Sequence, residues 1–426
     1  MLDSLTKSTY EAILTYELRP AMGCTEPIAI AYASSILGEV LGGYPEKIDA
    51  RFTGNIIKNV KSVIVPATGG RHGIEAAIAA GLVSCRPDKR LEVLTTLTAD
   101  DEPKIDALLS RCPITIDKLN TGCSFELELV GFRGGDKATV RISGAHTNVT
   151  EVTRNGENLA AKYTETTIVE ESGDAPDYTL LNVEDIVKFA DENDLSYLRP
   201  YLTRQLELNM DIAREGLTGN WGAEIGKVIL SMGDDVSRKA RAYAAAGSDA
   251  RMSGCEKPVC IISGSGNQGI TASVPVAIYG DELNKSEDEI LRALIVSDLI
   301  TIHQKTGIGT LSAYCGAISA GVGAGAGICY LKGGRFREIA HTLVNSVAIL
   351  SGTICDGAKP SCAAKIAMAV EAGIMGYEMW QGGRQFHDGD GIVTKGVENT
   401  IRNVGRLAKE GMSDTDREII EIMLGI

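Results

Sequence analysis

Three cysteines in the C-terminal third have the types and spacing to do chemistry. Cys355 and Cys362 flank a six-residue spacer, Asp-Gly-Ala-Lys-Pro-Ser. If that stretch were helical, the sulfurs would stand roughly 10 Å apart along the axis. Gly357 and Pro360 favour a loop, and a loop can carry both thiolates to one metal centre. Cys315, in Thr310-Leu-Ser-Ala-Tyr-Cys-Gly-Ala, could supply a third ligand. The spacing is neither that of a zinc knuckle nor that of a ferredoxin. From spacing alone, a pair of buried free thiols is the competing reading.

Cys24 sits in Arg19-Pro-Ala-Met-Gly-Cys-Thr-Glu-Pro27, between two helical stretches. Pro27 suits the first turn of the second helix, which puts Cys24 or Thr25 near its cap. A thiol at a helix N-terminus has a lowered pKa, so Cys24 is a candidate thiolate, metal ligand or base. An incidental cysteine in a turn is the alternative. Gly264-Ser-Gly-Asn-Gln-Gly269 fits the dinucleotide pattern G-x-G-x-x-G. Pro275 is expected to stop the following helix after one turn, and no βαβ context follows. With Ser263, Ser265, Asn267 and Gln268 the loop suits a smaller anion, such as an amino-acid carboxylate. Two polar, Gly-rich patches, Thr53–Asn59 with Asn55 and Pro66–Gly73 with Arg71, could line a pocket for a small polar molecule.

These residues must be positioned by two different kinds of structure. Residues 1–175 mix periodicities. Ser8–Thr15, Thr25–Leu41 and Gly73–Leu82 read as helices. Lys47–Thr53, Arg90–Leu97, Ile114–Leu119, Phe125–Val130, Ala138–Ser143, Val149–Arg154 and Thr166–Glu170 read as strands, with a hairpin turn at Gly134-Gly135-Asp136. The acidic Glu171–Asp177 stretch is the linker candidate. Residues 176–426 read as ten helices: Val183–Asn193, Tyr197–Glu215, Ala223–Ser231, Asp235–Ala245, Glu287–Gln304, Leu311–Ala324, Arg335–Leu350, Ser361–Gly373, Lys395–Lys409 and Asp414–Met423. The expected fold class is an α+β N-terminal domain followed by an all-α helical domain.

Composition narrows the function classes. With 44% apolar and 23% charged residues in 426, the chain is neither disordered nor a fibre. A formal charge of −14 disfavours a nucleic-acid partner. Ile308–Tyr330 carries no charge and is long enough to span a bilayer, but it is mostly Gly, Ala, Ser and Thr. A buried, tightly packed helix is expected there, and no membrane partner. Residues 1–18 lack a secretory pattern, so the ten cysteines are expected to be reduced in a cytoplasm. None of the five histidines forms a metal-spaced pair.

Together, RPAMGCTEP (19–27), TGNIIKNVKS (53–62), PATGGRHG (66–73), SGSGNQGITASVP (263–275), GTLSAYCGAISAG (309–321) and GTICDGAKPSC (352–362) resemble the iron–sulfur L-cysteine desulfidase family, which is related to the iron–sulfur L-serine dehydratases. The segments run in the family's order. The resemblance implies a [4Fe–4S] cluster held by Cys315, Cys355 and Cys362, with one iron left open. It implies a site between an α/β domain and an all-helical catalytic domain, with Cys24 reaching in from the first. Where serine dehydratases carry Ser-Ser-Ser-His-Thr this chain has Gly-Cys-Thr-Glu, and it ends Met-Leu-Gly-Ile without their terminal Cys. Both departures favour the desulfidase branch.

The implied reaction takes L-cysteine to pyruvate, ammonia and sulfide, without pyridoxal phosphate. Cys24 is the candidate base, or else a fourth ligand of the resting cluster. Ser263, Ser265, Asn267, Gln268, Asn55 and Arg71 are the candidates for holding the carboxylate and amine, and Asp356 is positioned to tune the centre. L-Serine at the same centre, or a cluster-free amino-acid binding module, are the alternatives. The expected partner is a small amino-acid substrate, with the chain as a homodimer.

Overall fold

The computed structural model describes residues 2–123, 125–163, 176–309 and 312–425. The chain opens with α1 (Ser4–Glu17), capped by Asp3, whose carboxylate accepts from the Thr6 N–H at 2.9 Å. There follow β1 (Arg19–Met22), α2 (Thr25–Leu41), β2 (Lys47–Thr53), α3 (Gly54–Val60), α4 (Gly73–Ser84), α5 (Glu102–Arg111) and β3 (Ile114–Leu119). A meander completes this region: β4 (Glu126–Arg133), β5 (Asp136–Ser143), β6 (Val149–Arg154) and β7 (Glu157–Asn158).

The six strands form one sheet in the order β3-β2-β4-β5-β6-β7. Only β2 and β3 run parallel, with Ile48 opposite Ile114 and Phe52 opposite Lys118. Gly134 and Gly135 both have positive φ, at 56° and 90°, as a tight turn between right-twisted strands requires. α2 covers the sheet, and α4 packs on α2. They approach so closely at Gly81 that a Cβ there would strike the Ala31 carbonyl.

The second region contains α6 (Val183–Glu192), α7 (Arg199–Thr218), α8 (Ile225–Ser231), α9 (Val236–Met252), one short strand β8 (Pro258–Ile261), α10 (Gly266–Glu282), α11 (Glu287–Ile308), α12 (Gly316–Leu331), α13 (Phe336–Leu350), α14 (Cys362–Gln381), α15 (Val397–Arg406) and α16 (Ser413–Leu424). α12 is its axis, buried almost throughout. Its glycines let neighbours approach to backbone contact: a Cβ on Gly321 would meet Ala369, and one on Gly325 would meet Gly373, both on α14. Among the described residues no helix is long and apolar enough to cross a membrane. Within the uncharged stretch, Ala317–Tyr330 is buried.

The apolar core has two large clusters and a small third one of Ile229, Ala242, Ala245, Ala363 and Ala367. One large cluster, from Ile28 to Val152, lies between the sheet and the helices packed over it. The other large one joins the later helices and takes in Tyr10, Ile13, Leu14 and Leu18 of α1 and its C-terminal cap. The chain is stitched across by β1, which pairs antiparallel with β8, Arg19 opposite Ile261 and Met22 opposite Pro258.

Several expectations from sequence are overturned. Arg90–Leu97 is not a strand: Pro87 opens a 3₁₀ turn and Arg90 takes φ 49°, while Val93 and Leu94 are buried without any ladder. The Thr53–Asn59 patch is not a loop but runs into α3. Pro275 does not end its helix. It lies inside α10, whose residues from Gly266 to Gly280 are almost all buried, and packing outweighs the one lost backbone bond. α5 lacked a legible signal. α12 begins at Gly316, later than the expected Leu311, with Cys315 as its N-cap. The Thr166–Glu170 strand and most of the proposed linker, 171–175, lie outside the described residues.

Candidate active site

A buried cavity of about 120 Å³ lies where the two regions meet. From the α/β side it is lined by Cys24, Glu26, Lys58, Asn59 and His146. From the helical side come Arg251, the Ser263–Gln268 loop, Lys305, Cys315, Cys355, Cys362 and Lys365.

Local structure explains each placement. Cys24 is the N-cap of α2, and the β1–β8 pairing holds the preceding turn against α9, where an Arg251 guanidinium N–H donates to the Gly23 carbonyl at 2.9 Å. The Ser263–Ser265 turn has left-handed φ at Ser263 and Gly264. It is pinned by Glu17, which accepts from the Ser263 N–H at 2.7 Å, and by Thr25, whose hydroxyl donates to the Gly264 carbonyl at 3.3 Å. The motif does sit between a strand and a helix. That strand pairs only with β1, so the parallel sheet of a dinucleotide fold is missing among the described residues.

The three thiols come from two paired segments and a helix start. Tyr314 and Ile354 form an antiparallel bridge, with the Cys315 N–H donating to the Thr353 carbonyl at 3.0 Å and the Cys355 N–H to the Ala313 carbonyl at 2.6 Å. Cys362 is the first residue of α14. The intervening loop turns at Gly357, φ 94°, which lies so close to the Lys58 carbonyl that a Cβ would clash. Cys315 and Cys362 thus stand at the N-termini of two long helices, where the partial positive charge favours an anion. Among the described residues no three His, Cys, Asp or Glu side chains close on a single-ion position.

Electrostatics differ across the cavity. The Cys24 thiol donates to Glu26 Oε2 at 3.0 Å, and the Asn59 amide donates to Glu26 Oε1 at 2.9 Å. Burial, then the Glu26 charge, pushes the Cys24 thiol well above its usual pKa. The expected thiolate at a helix N-terminus is therefore a thiol here, because desolvation and a buried carboxylate outweigh the helix dipole. Burial would raise the Glu26 carboxyl, but His146, the Cys24 hydrogen bond and Arg251 outweigh it and hold it below the usual carboxylate range.

On the other wall, burial and then Cys355 push Cys315 up to about 12. Burial lowers the Lys305 ammonium to about 8, with the Cys355 and Cys315 charges pulling the other way. Asp356 pairs with Lys359 and, at 2.6 Å, with Lys365. Burial opposes these pairs, yet they bring its carboxyl down to about 2.

The family model for the serine dehydratase alpha chain matches residues 88–421. The chain belongs to that family. A UPF0597 protein of Desulfitobacterium hafniense is 51% identical over 98% of this chain and 96% of its own. UPF0597 proteins of Lachnoclostridium phytofermentans and Treponema denticola are 47% and 43% identical, each covering at least 97% of both chains.

Within this serine dehydratase-like chain, Cys24, Ser263, Ser265, Asn267, Gln268, Cys315, Cys355 and Cys362 all line the one cavity. Asn55 and Arg71 do not. Asn55 lies on α3 with a buried Oδ1 that has no partner, and Arg71 forks onto Asp106 at 2.8 and 2.6 Å on the outer surface. The residues that sequence reasoning missed are Glu26, Lys58, Asn59, His146, Arg251, Lys305 and Lys365. The first three fall inside the quoted motifs, so the motifs carried a signal, but nothing singled out the side chains. For His146 and Arg251 no local signal exists.

Three of the lining side chains keep a buried polar atom without a partner: His146 Nε2, Arg251 Nε and Gln268 Oε1. Such groups are costly when unmet, and together they describe a cavity awaiting a polar occupant.

Proposed function

We propose that the protein is a carbon–sulfur lyase that converts L-cysteine to pyruvate, ammonia and sulfide, with a [4Fe–4S] cluster held by Cys315, Cys355 and Cys362. The observation that carries this reading is the meeting of those three thiols with Cys24 and with the unpartnered Arg251 and Gln268 atoms around one buried cavity. The donor set fits such a cluster. In a [4Fe–4S] centre each thiolate binds a different iron, and three cysteine thiols on one wall of the cavity are donors of that type. Helix N-termini and Lys305 and Lys365 offset the negative charge. When bound, the cluster would supply a Lewis acid for the departing sulfur.

This chain's own residues do the rest. In this reading Arg251 donates to the substrate carboxylate and Gln268 accepts from its amino group, a role supported by the unpartnered Arg251 Nε and Gln268 Oε1 on the cavity lining. Cys24 can act as base on Cα only after losing its own proton, and Glu26, which accepts its hydrogen bond at 3.0 Å, holds the sulfur in position. The thiolate then takes the α-proton as the C–S bond breaks and sulfide leaves. Aminoacrylate remains, and it tautomerises and hydrolyses to pyruvate and ammonia.

A second reading, L-serine as substrate, is favoured by the family's name. The test is anaerobic reconstitution, with iron and sulfide content measured, followed by turnover of L-cysteine and L-serine. About four irons per chain and a larger kcat/KM on L-cysteine are expected. A larger kcat/KM on L-serine would replace the substrate. An iron-free protein that binds amino acids without turnover would overturn the lyase reading in favour of a binding module.

A further inference from the structure

A second concavity lies far from the thiols. It is an open groove of about 660 Å³ between one face of α13 and the turn that follows α14, lined by Arg337, His341, Trp380, Arg384, Gln385 and His387 among others. Trp380 is eighteen positions beyond Cys362 on the same helix, roughly 27 Å along its axis at about 1.5 Å per residue. The groove is therefore separate from the cavity described above.

Its chemistry is one-sided. Arg337 and His341 are one helical turn apart on α13 and converge on Trp380. The His341 ring stacks on the indole at 4.2 Å and 5°, and the Arg337 guanidinium stands 5.4 Å from its centroid. Arg384 and His387 approach from the turn. Neither Arg337 nor Arg384 has a carboxylate partner among the described residues, in a chain whose net charge is −14. The acidic neighbours are already engaged. Asp390 accepts from the His387 N–H at 2.6 Å, Asp388 accepts from Thr394 and the Lys395 N–H, and Glu338 accepts from the Arg335 N–H at 3.0 Å.

The turn is also anchored. Fully buried Asn345 accepts from the Phe386 N–H at 3.0 Å and donates to the Gly376 carbonyl at 3.1 Å. On this fixed support Gln385 keeps a buried Oε1 with no partner, while its Nε2 lies 3.4 Å from His387 Nδ1. Two unpaired guanidinium groups converging on a groove match planar or tetrahedral oxyanions. The unmet acceptor asks for a hydrogen from the same molecule.

We propose that this groove binds a small polyanion, phosphate-bearing or polycarboxylate, that also carries a hydroxyl, amino or acid hydrogen within reach of Gln385. The site needs neither the cluster nor the lyase reaction, so it stands or falls separately from the proposed function.

The chain has two tryptophans, so Trp221→Phe leaves Trp380 as the only indole reporter. Fluorescence of that variant is titrated with inorganic pyrophosphate and with citrate, each against sodium chloride at equal ionic strength. A saturable change with either probe is expected, weakened about tenfold or more when Arg337→Gln and Arg384→Gln are added. Saturation by pyrophosphate assigns a phosphate ligand, and saturation by citrate a carboxylate one. Both support the site. Responses no different from sodium chloride, or equal affinity in the arginine variants, would overturn it. Arg384→Gln alone, on the exposed turn, gives the same decision if the double change unfolds the protein.

Discussion

The two walls of the thiol cavity are built on different plans. The α/β wall offers a buried carboxylate network: Glu26, held below the usual range, accepts from Cys24 and Asn59 and faces His146. The helical wall offers three thiols, two at helix N-termini, among lysines of which Lys305 is lowered to about 8. One wall is arranged to move and hold protons. The other is arranged to carry negative charge on sulfur. Substitutions on the two walls should therefore fail in different ways, the helical wall losing metal and the α/β wall losing rate.

The largest effect is expected from Cys355→Ser. Iron content and the visible spectrum should fall together, with activity down by more than the roughly hundredfold that loss of a supporting group costs at a metal site. Full iron retention would break the contrast on the helical side.

Glu26→Gln should keep the iron and lower kcat by about 10²-fold, the lower range for a positioned acid–base group. Loss of iron instead would show that the α/β wall holds the cluster too. This variant also has a pH signature. The folded Glu26 pKa lies below its ordinary 4.5, so its stabilisation is fully present above that value and is lost as pH falls through the lowered one. Acid unfolding of Glu26→Gln should accordingly be less steep, as measured by thermal melts between pH 3 and 6.

The smallest effect is expected from Lys305→Met. Its folded pKa, about 8, lies below the ordinary 10.5, so the buried ammonium destabilises the iron-free fold below pH 8. Removing it should stabilise that form by about 1–3 kcal/mol near pH 7, fading as pH rises towards 10.5. In the iron-loaded protein the gain should shrink, because an anionic centre then offsets the charge. Equal gains in both forms would separate Lys305 from the thiol wall.

Periodic elements were legible because their signals are local. The strands Lys47–Thr53, Ile114–Leu119 and Val149–Arg154 have the bounds their alternation predicts, and α2 spans the predicted Thr25–Leu41. The Cys355–Cys362 loop was legible from Gly357 and Pro360. α10 was misread because Pro275 is a local stop signal, and burial on every side overrides it.

The amino-acid sequence by itself determined the order of an α/β region and a helical one, the loop between Cys355 and Cys362, and the small-residue helix that forms the core. Propensity, turn chemistry and periodicity act over a few residues and need no partner. Only the tertiary structure decided that Glu26, His146 and Arg251 face the cavity while Asn55 and Arg71 do not, and that Cys24 rests as a thiol. Those outcomes depend on desolvation and on charges brought near from Glu26, His146 and Arg251, and no local pattern encodes either.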